Sequence, residues 1–164
     1  MKTPLWNSSN DQPKNTRVAS IALLNQQLAD ALDLGLQAKQ AHWNVKGPAF
    51  IALHELFDEV AEKIGEFTDE IAERAVALGG VAVGTAQVIA RDSSLAPYPL
   101  TIFSGPDHVA ALSAALASFA RSTRVAIETA TKAGDAGTAD LFTGISREID
   151  DLLWKVEAHA ATKS

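Results

Sequence analysis

The chain contains no cysteine among its 164 residues, which excludes a disulfide framework and any thiolate metal site. A bound metal would fall to His, Asp and Glu, a donor set that suits iron, manganese or zinc. No apolar run approaches the ~20 residues needed to cross a bilayer, and the start, "MKTPLWNSSNDQPKNTR", lacks the apolar centre of a secretory signal. A cytoplasmic protein with no membrane partner is expected. Positive charge is scarce: 14 Lys and Arg stand against 20 Asp and Glu, for a net charge of −6 and a pI near 5.1. Phosphate binding relies on Lys and Arg displacing counterions, so the folded body is a poor nucleic-acid surface and only a local basic segment could serve. There is no internal repeat and no strand pattern of useful length.

What is present is helical. Hydrophobic residues make up 47% and charged residues 21%, which places the chain with ordinary globular domains rather than disordered or membrane proteins. Its length suits one domain. Residues 1–16, rich in Asn, Ser, Pro and Lys, read as a flexible tail whose basic residues are Lys2 and Lys14, with Arg17 following at the first helix. Residues 17–164 form the domain. From about Thr16 to Asn44 the spacing of Ile21, Leu24, Leu28, Leu32 and Leu36 is helical. "VKGP" ends that helix, and a second runs to about Leu78 before Gly79 and Gly80. A long connection over residues 81–104 has room for one short helix. A third helix is expected from about Pro106 to Lys132 and a fourth from about Thr138 to Ala160, with Gly134 as the stop between them and Thr138 as N-cap. The expected fold is all-α, a four-helix bundle.

The second helix carries the chemistry. Advancing ~100° per residue from His54, the residues Leu53, Leu56, Phe57, Val60, Ile64, Phe67, Ile71, Ala75 and Leu78 fall between roughly 200° and 300°, the face turned to the core. His54, Asp58, Asp69 and Glu73 fall at about 0°, 40°, 60° and 100°, away from that core. Most such faces are simply solvated. Here, however, His54 and Asp58 are spaced i,i+4, as are Asp69 and Glu73, so each pair can converge on one cation. At ~1.5 Å per residue the two pairs lie roughly 22 Å apart, too far to share a metal in one chain. A second copy crossing antiparallel near residues 63 and 64 brings His54 and Asp58 of one chain to Asp69 and Glu73 of the other, and two-fold symmetry makes the site twice. Ala61 and Gly65 lie at that crossing, where a close backbone would suit a glycine. Glu55, Glu59, Glu66 and Glu70 form an acidic strip beside the ligands. His42, twelve residues before His54 across the Gly-Pro turn, is a further candidate imidazole, with Trp43 beside it. His108 and His159 lack a carboxylate partner at helical spacing and read as surface; Trp6 and Trp154 read as packing residues.

The run "KQAHWNVKGPAFIALHELFDEV", followed by "TDEIAERAVALGG", closely resembles the Dps family, the mini-ferritins known as DNA-binding proteins from starved cells. "TADLFTGISREIDDLLWKVEAH" is similar to that family's fourth helix. The resemblance implies a ferritin-like four-helix bundle with a short extra helix in the connection between helices two and three, assembled as a hollow homo-dodecamer. It also implies ferroxidase centres at two-fold interfaces, with His42, His54 and Asp58 from one chain, Asp69 and Glu73 from its neighbour, and room for two iron ions. Trp43 resembles the family's aromatic electron donor next to the centre. Asp135 and Asp140 are similar to acidic residues of the pores by which iron reaches the cavity, although Gly144 stands where some relatives continue the acidic ring. The implied reaction is oxidation of Fe(II) by hydrogen peroxide, or more slowly by dioxygen, with storage of ferric mineral and protection of DNA. The alternative is a DNA-compacting protein acting through twelve tails that carry Lys2, Lys14 and Arg17.

Overall fold

The computed structural model describes residues 4–160 and consists of α1 (Lys14–Asn44), α2 (Phe50–Ala77), α3 (Ala86–Asp92), α4 (Gly105–Ala133) and α5 (Ala136–Glu157). The four long helices are those expected from periodicity, and α3 is the short helix in the long connection. α1 packs along α2 and α4 along α5, each pair joined by a short turn, and α1 also lies against α4. Their shared interior holds Leu24 and Leu34 of α1, Phe57, Ile64 and Ile71 of α2, Leu112, Leu116 and Phe119 of α4, and Phe142 and Ile149 of α5, all without solvent exposure. Each such side chain contributes about 1.5–3 kcal/mol by leaving water, so the stripes read from sequence are what join the helices. This is the ferritin-like bundle. No helix of the described residues is long and apolar enough to cross a membrane.

Polar groups on α1 hold the long connection. Asn25 donates to the Val81 carbonyl and accepts from the Val83 amide at 2.9 Å, the buried Asp30 accepts from the Ser94 amide at 2.7 Å, and Gln37 donates to the Ala96 carbonyl. The connection therefore follows α1, satisfying backbone groups that a loop would otherwise leave to water. At the other end of the bundle, Lys46 donates to the Phe103 carbonyl and accepts from the Gly105 amide. These two bonds tie the α1–α2 turn to the start of α4.

The α4–α5 turn corrects one expectation. Gly134 ends α4 at φ 81°, a left-handed conformation that favours glycine, but the cap of α5 is Asp135 rather than Thr138. The Asp135 carboxylate accepts from the Thr138 amide at 3.0 Å and from the Thr138 hydroxyl at 2.6 Å. Arg74 of α2 completes the cluster, donating to Asp135 at 2.7 Å and to Thr138 at 3.1 Å. Burial alone would raise the Asp135 pKa; the hydrogen bonds from Thr138 and Gln12 outweigh it and hold the carboxyl well below the usual carboxylate range.

Residues 4–13 lie against the body. The Trp6 amide donates to the Gly79 carbonyl at 2.7 Å, Leu5 is half-buried against the core, and Gln12 donates to Asp135 at 3.0 Å. Helix α1 begins at Lys14, so the last three residues of the segment read as tail are helical. Lys2 lies outside the described residues.

Candidate metal centre

The end of α1 and the start of α2 meet across the turn that Gly47 makes at φ 119°, and this juxtaposition brings His42 to His54. The two rings stack, with centroids 3.7 Å apart and planes 19° off parallel. Each Nδ1 lies within hydrogen-bond distance of the other residue's backbone carbonyl, 2.7 Å from His42 to His54 and 2.8 Å in return. With each Nδ1–H donated to a carbonyl, both rings are fixed in orientation and each Nε2 lone pair is left for a cation, the arrangement that metal-binding imidazoles use. The Phe50 ring stands 5.1 Å from His54.

Asp58 follows one turn later, half-buried and joined by an ion pair to Lys39 of α1. The hydrogen bond from Lys39 lowers the Asp58 pKa; partial burial opposes it, and the charges of His42, Lys39 and His54 add to the lowering. The carboxyl therefore stays ionised through neutral pH. Trp43, beside His42, is 65% exposed. Asp69 and Glu73 lie on the outer face of α2, both exposed. Among the described residues of one chain no group of three or more His, Asp or Glu forms a cluster able to hold a metal. The single chain brings His42 against His54, with Asp58 one turn further along α2, and it leaves Asp69 and Glu73 on the distant part of that helix.

Other expectations need correction. Asp135 is fully buried in its helix-capping cluster with Arg74, so its carboxylate is not presented to a pore; Asp140, one turn and a half along, is exposed. His108 is 1% exposed rather than a surface residue, with Nδ1 2.8 Å from the Tyr98 hydroxyl. Its spacing to Leu112, Ala115 and Phe119 along α4 is that of the buried stripe, a periodicity legible in the sequence. Trp6 and Trp154 are 60% and 65% exposed in the single chain rather than packed. Trp154 sits opposite the buried Leu152 and Val156 on α5, which is why the helix cannot turn it inward. Lys39 was not singled out by sequence reasoning, although its place one turn before His42 puts it on the same face.

A family profile described as "Ferritin-like domain" matches residues 21–163. The "DNA protection during starvation protein" of Agrobacterium fabrum is 45% identical over 157 residues, covering 96% of this chain and 97% of that one. The chain belongs to the Dps family. The protein of the same description from Mycolicibacterium smegmatis is 35% identical over 137 residues, covering 84% of this chain and 74% of that relative. Among solved structures, DpsC from Streptomyces coelicolor superposes with a TM-score of 0.92 at 29% identity over 98% of this chain and 94% of its own. The tetragonal form of Mycobacterium smegmatis Dps gives 0.89 at 30% identity, covering 95% of each chain.

Proposed function

We propose that the protein is a ferroxidase and iron store that protects DNA by removing Fe(II) and hydrogen peroxide together, working as a closed shell of twelve copies. The observation that carries this reading is the reciprocal clamp between His42 and His54, which fixes both rings and leaves each Nε2 free for a cation, with the ionised Asp58 one turn further along α2. Asp69 and Glu73 of a second copy would complete the site, since 22 Å of helix, roughly, separates them from the first group. Gly65 supports such a crossing: a Cβ added there meets nothing within 4 Å, so no packing inside its own chain requires the glycine. The relatives described as DNA protection proteins fit the reading without requiring DNA contact.

The chemistry follows from the donor set. Imidazole retains affinity for Fe(II), while hard carboxylates stabilise Fe(III), so a mixed site binds the substrate and favours its oxidation. Two Fe(II) ions held together supply the two electrons that turn peroxide into two waters without releasing hydroxyl radical. The exposed Trp43 is placed to supply an electron when only one iron is bound. Ligand type also admits zinc or manganese. Ferric product would pass to the cavity as mineral, and Asp140 is the remaining pore carboxylate.

Tail-driven DNA compaction is less well supported. Part of residues 4–13 is held against the body by the bond from Trp6 to Gly79, and the Arg17 guanidinium donates to the Leu78 carbonyl, which engages one of the three basic residues that this alternative needs. A salt-dependent gel shift of the full chain against one lacking residues 1–13 should show no difference; a shift that only the full chain gives would restore DNA binding as a main role.

The ferroxidase reading is tested by loading assembled protein with Fe(II) under anoxia, adding hydrogen peroxide and following ferric absorbance. Rapid oxidation is expected in the natural protein and should vanish in a His54→Ala, Asp69→Ala variant whose assembly is intact. Equal, slow rates in both would remove the catalytic claim and leave simple metal storage.

A further inference from the structure

We infer that Tyr98 and His108 form a second electron donor for peroxide reduction, one that acts when a site holds a single Fe(II). This rests on the ferroxidase reading and extends it to residues outside the metal ligands. Tyr98 is half-buried against the core and His108 is 1% exposed. The phenol oxygen lies 2.8 Å from His108 Nδ1, and the rings are 6.0 Å apart at 18° from parallel. The Asn44 backbone lies by the imidazole; Nε2 is buried with no hydrogen-bond partner, so the ring's one side-chain hydrogen bond is the contact of Nδ1 with the phenol, whose hydroxyl is the donor. Nδ1 is then the acceptor, an assignment made from the hydrogen-bond network.

That geometry is what one-electron oxidation of a phenol needs. Losing an electron makes the phenolic proton strongly acidic, and a neutral base in hydrogen-bond contact accepts it without any search through solvent. Burial pushes the Tyr98 pKa far up and the His108 pKa down. The resting pair is therefore a neutral phenol beside a neutral imidazole, and a base is required for oxidation to proceed. Position connects the pair to the metal centre: Asn44 follows Trp43 directly and His42 by two residues. The bonds from Lys46 to Phe103 and from Gly105 to Lys46 hold the start of α4 against that end of α1.

Peroxide takes up two electrons and two protons, its O–O bond breaks, and two waters form. One electron comes from Fe(II), which becomes Fe(III). The second comes from Tyr98, whose proton moves to His108 Nδ1, leaving a neutral tyrosyl radical and an imidazolium, and solvent supplies the two protons for water. A later Fe(II) reduces the radical, the proton returns from His108, and a second Fe(III) results. The net stoichiometry remains two irons per peroxide, but the irons need not arrive together.

Tyr98 is the chain's only tyrosine, so any tyrosyl radical has a unique assignment. Assembled protein holding one Fe(II) per site is mixed with one equivalent of hydrogen peroxide, freeze-quenched within milliseconds and examined by electron paramagnetic resonance. A tyrosyl signal is expected in the natural protein, stronger in Trp43→Phe and absent in Tyr98→Phe. An exchangeable proton coupling to the radical, lost in His108→Gln, identifies the base. Spin-trapped hydroxyl radical should rise several-fold in Tyr98→Phe at one iron per site and stay unchanged at iron excess, which a purely structural tyrosine would not produce. Ferric product with no tyrosyl signal in either the natural protein or Trp43→Phe overturns the donor role and leaves the ferroxidase reading standing. Failure to form ferric product at all overturns both.

Discussion

The two ends of α2 carry the same kind of groups in opposite states of preparation. Near its start, His54 is locked to His42 and Asp58 is held by Lys39. Toward its end, Asp69 and Glu73 are exposed and, among the described residues, join no ion pair. Fixing a side chain's rotamers costs up to about 2 kcal/mol. At the first end the fold has already met that cost through the His–His clamp; at the second it waits for whatever covers the face. A prepared group and a free group on one helix are what the proposed centre, shared between two copies, requires.

The sharpest way to break this comparison is to separate the halves genetically. His54→Ala and Asp69→Ala should each lose peroxide-driven iron oxidation, by at least about a hundredfold if a single ligand loss disables the site. Co-assembled at equal amounts, they should recover about one quarter of the sites, because half of the random two-fold pairs are mixed and each mixed pair rebuilds one of its two sites. Ferric absorbance per shell reads the fraction. No recovery in well-formed mixed shells would place all ligands within one chain.

Next in size is the anchor beside the free half. Arg74, adjacent to Glu73, is fixed by buried Asp135. Asp135→Ala should cost about 3 kcal/mol of stability, since it leaves a guanidinium and a helix end unpaired. The Asp135 pKa is lowered on folding, so its contribution is fully present above the unfolded carboxyl value near ~4 and is lost as pH falls through the folded value. Denaturant melts of the two proteins should thus differ by a constant amount from pH 7 to 5 and converge in stronger acid. At the crossing itself, Gly65→Leu should leave the monomer's fold unchanged and weaken assembly by about 1–3 kcal/mol, read as subunit dissociation on dilution.

How much of this was legible beforehand follows from the physics of each signal. The helices and the inward face of α2 were, because burial imposes a 3.6-residue period that survives tertiary context. The separation of Asp69 and Glu73 from His54 was too, because helical rise is fixed. The Asp135 cap was not: Thr138 and Asp135 are both good capping residues, and only the packing of Arg74 from α2 chooses between them. His108 was misjudged because a histidine's burial depends on a partner, and its partner, Tyr98, reaches it from a connection with no periodicity. The docking of residues 4–13 rests on backbone bonds such as Trp6 to Gly79, which leave no trace in side-chain pattern.

The smallest expected effect concerns what makes the prepared half ready. Lys39 neutralises Asp58 while no cation is present, yet any Fe(II) binding that carboxylate must displace it. Both side chains are about a third exposed, so solvent screens the pair and its hold on the carboxylate is weak. Lys39→Met should therefore tighten Fe(II) binding by about two- to fivefold, measured anaerobically by calorimetry, and should also lift part of the repulsion between ammonium and metal. Weaker binding instead would mean that the lysine positions Asp58 rather than competing for it, and that the preparation of this half-site extends from the imidazoles to the carboxylate.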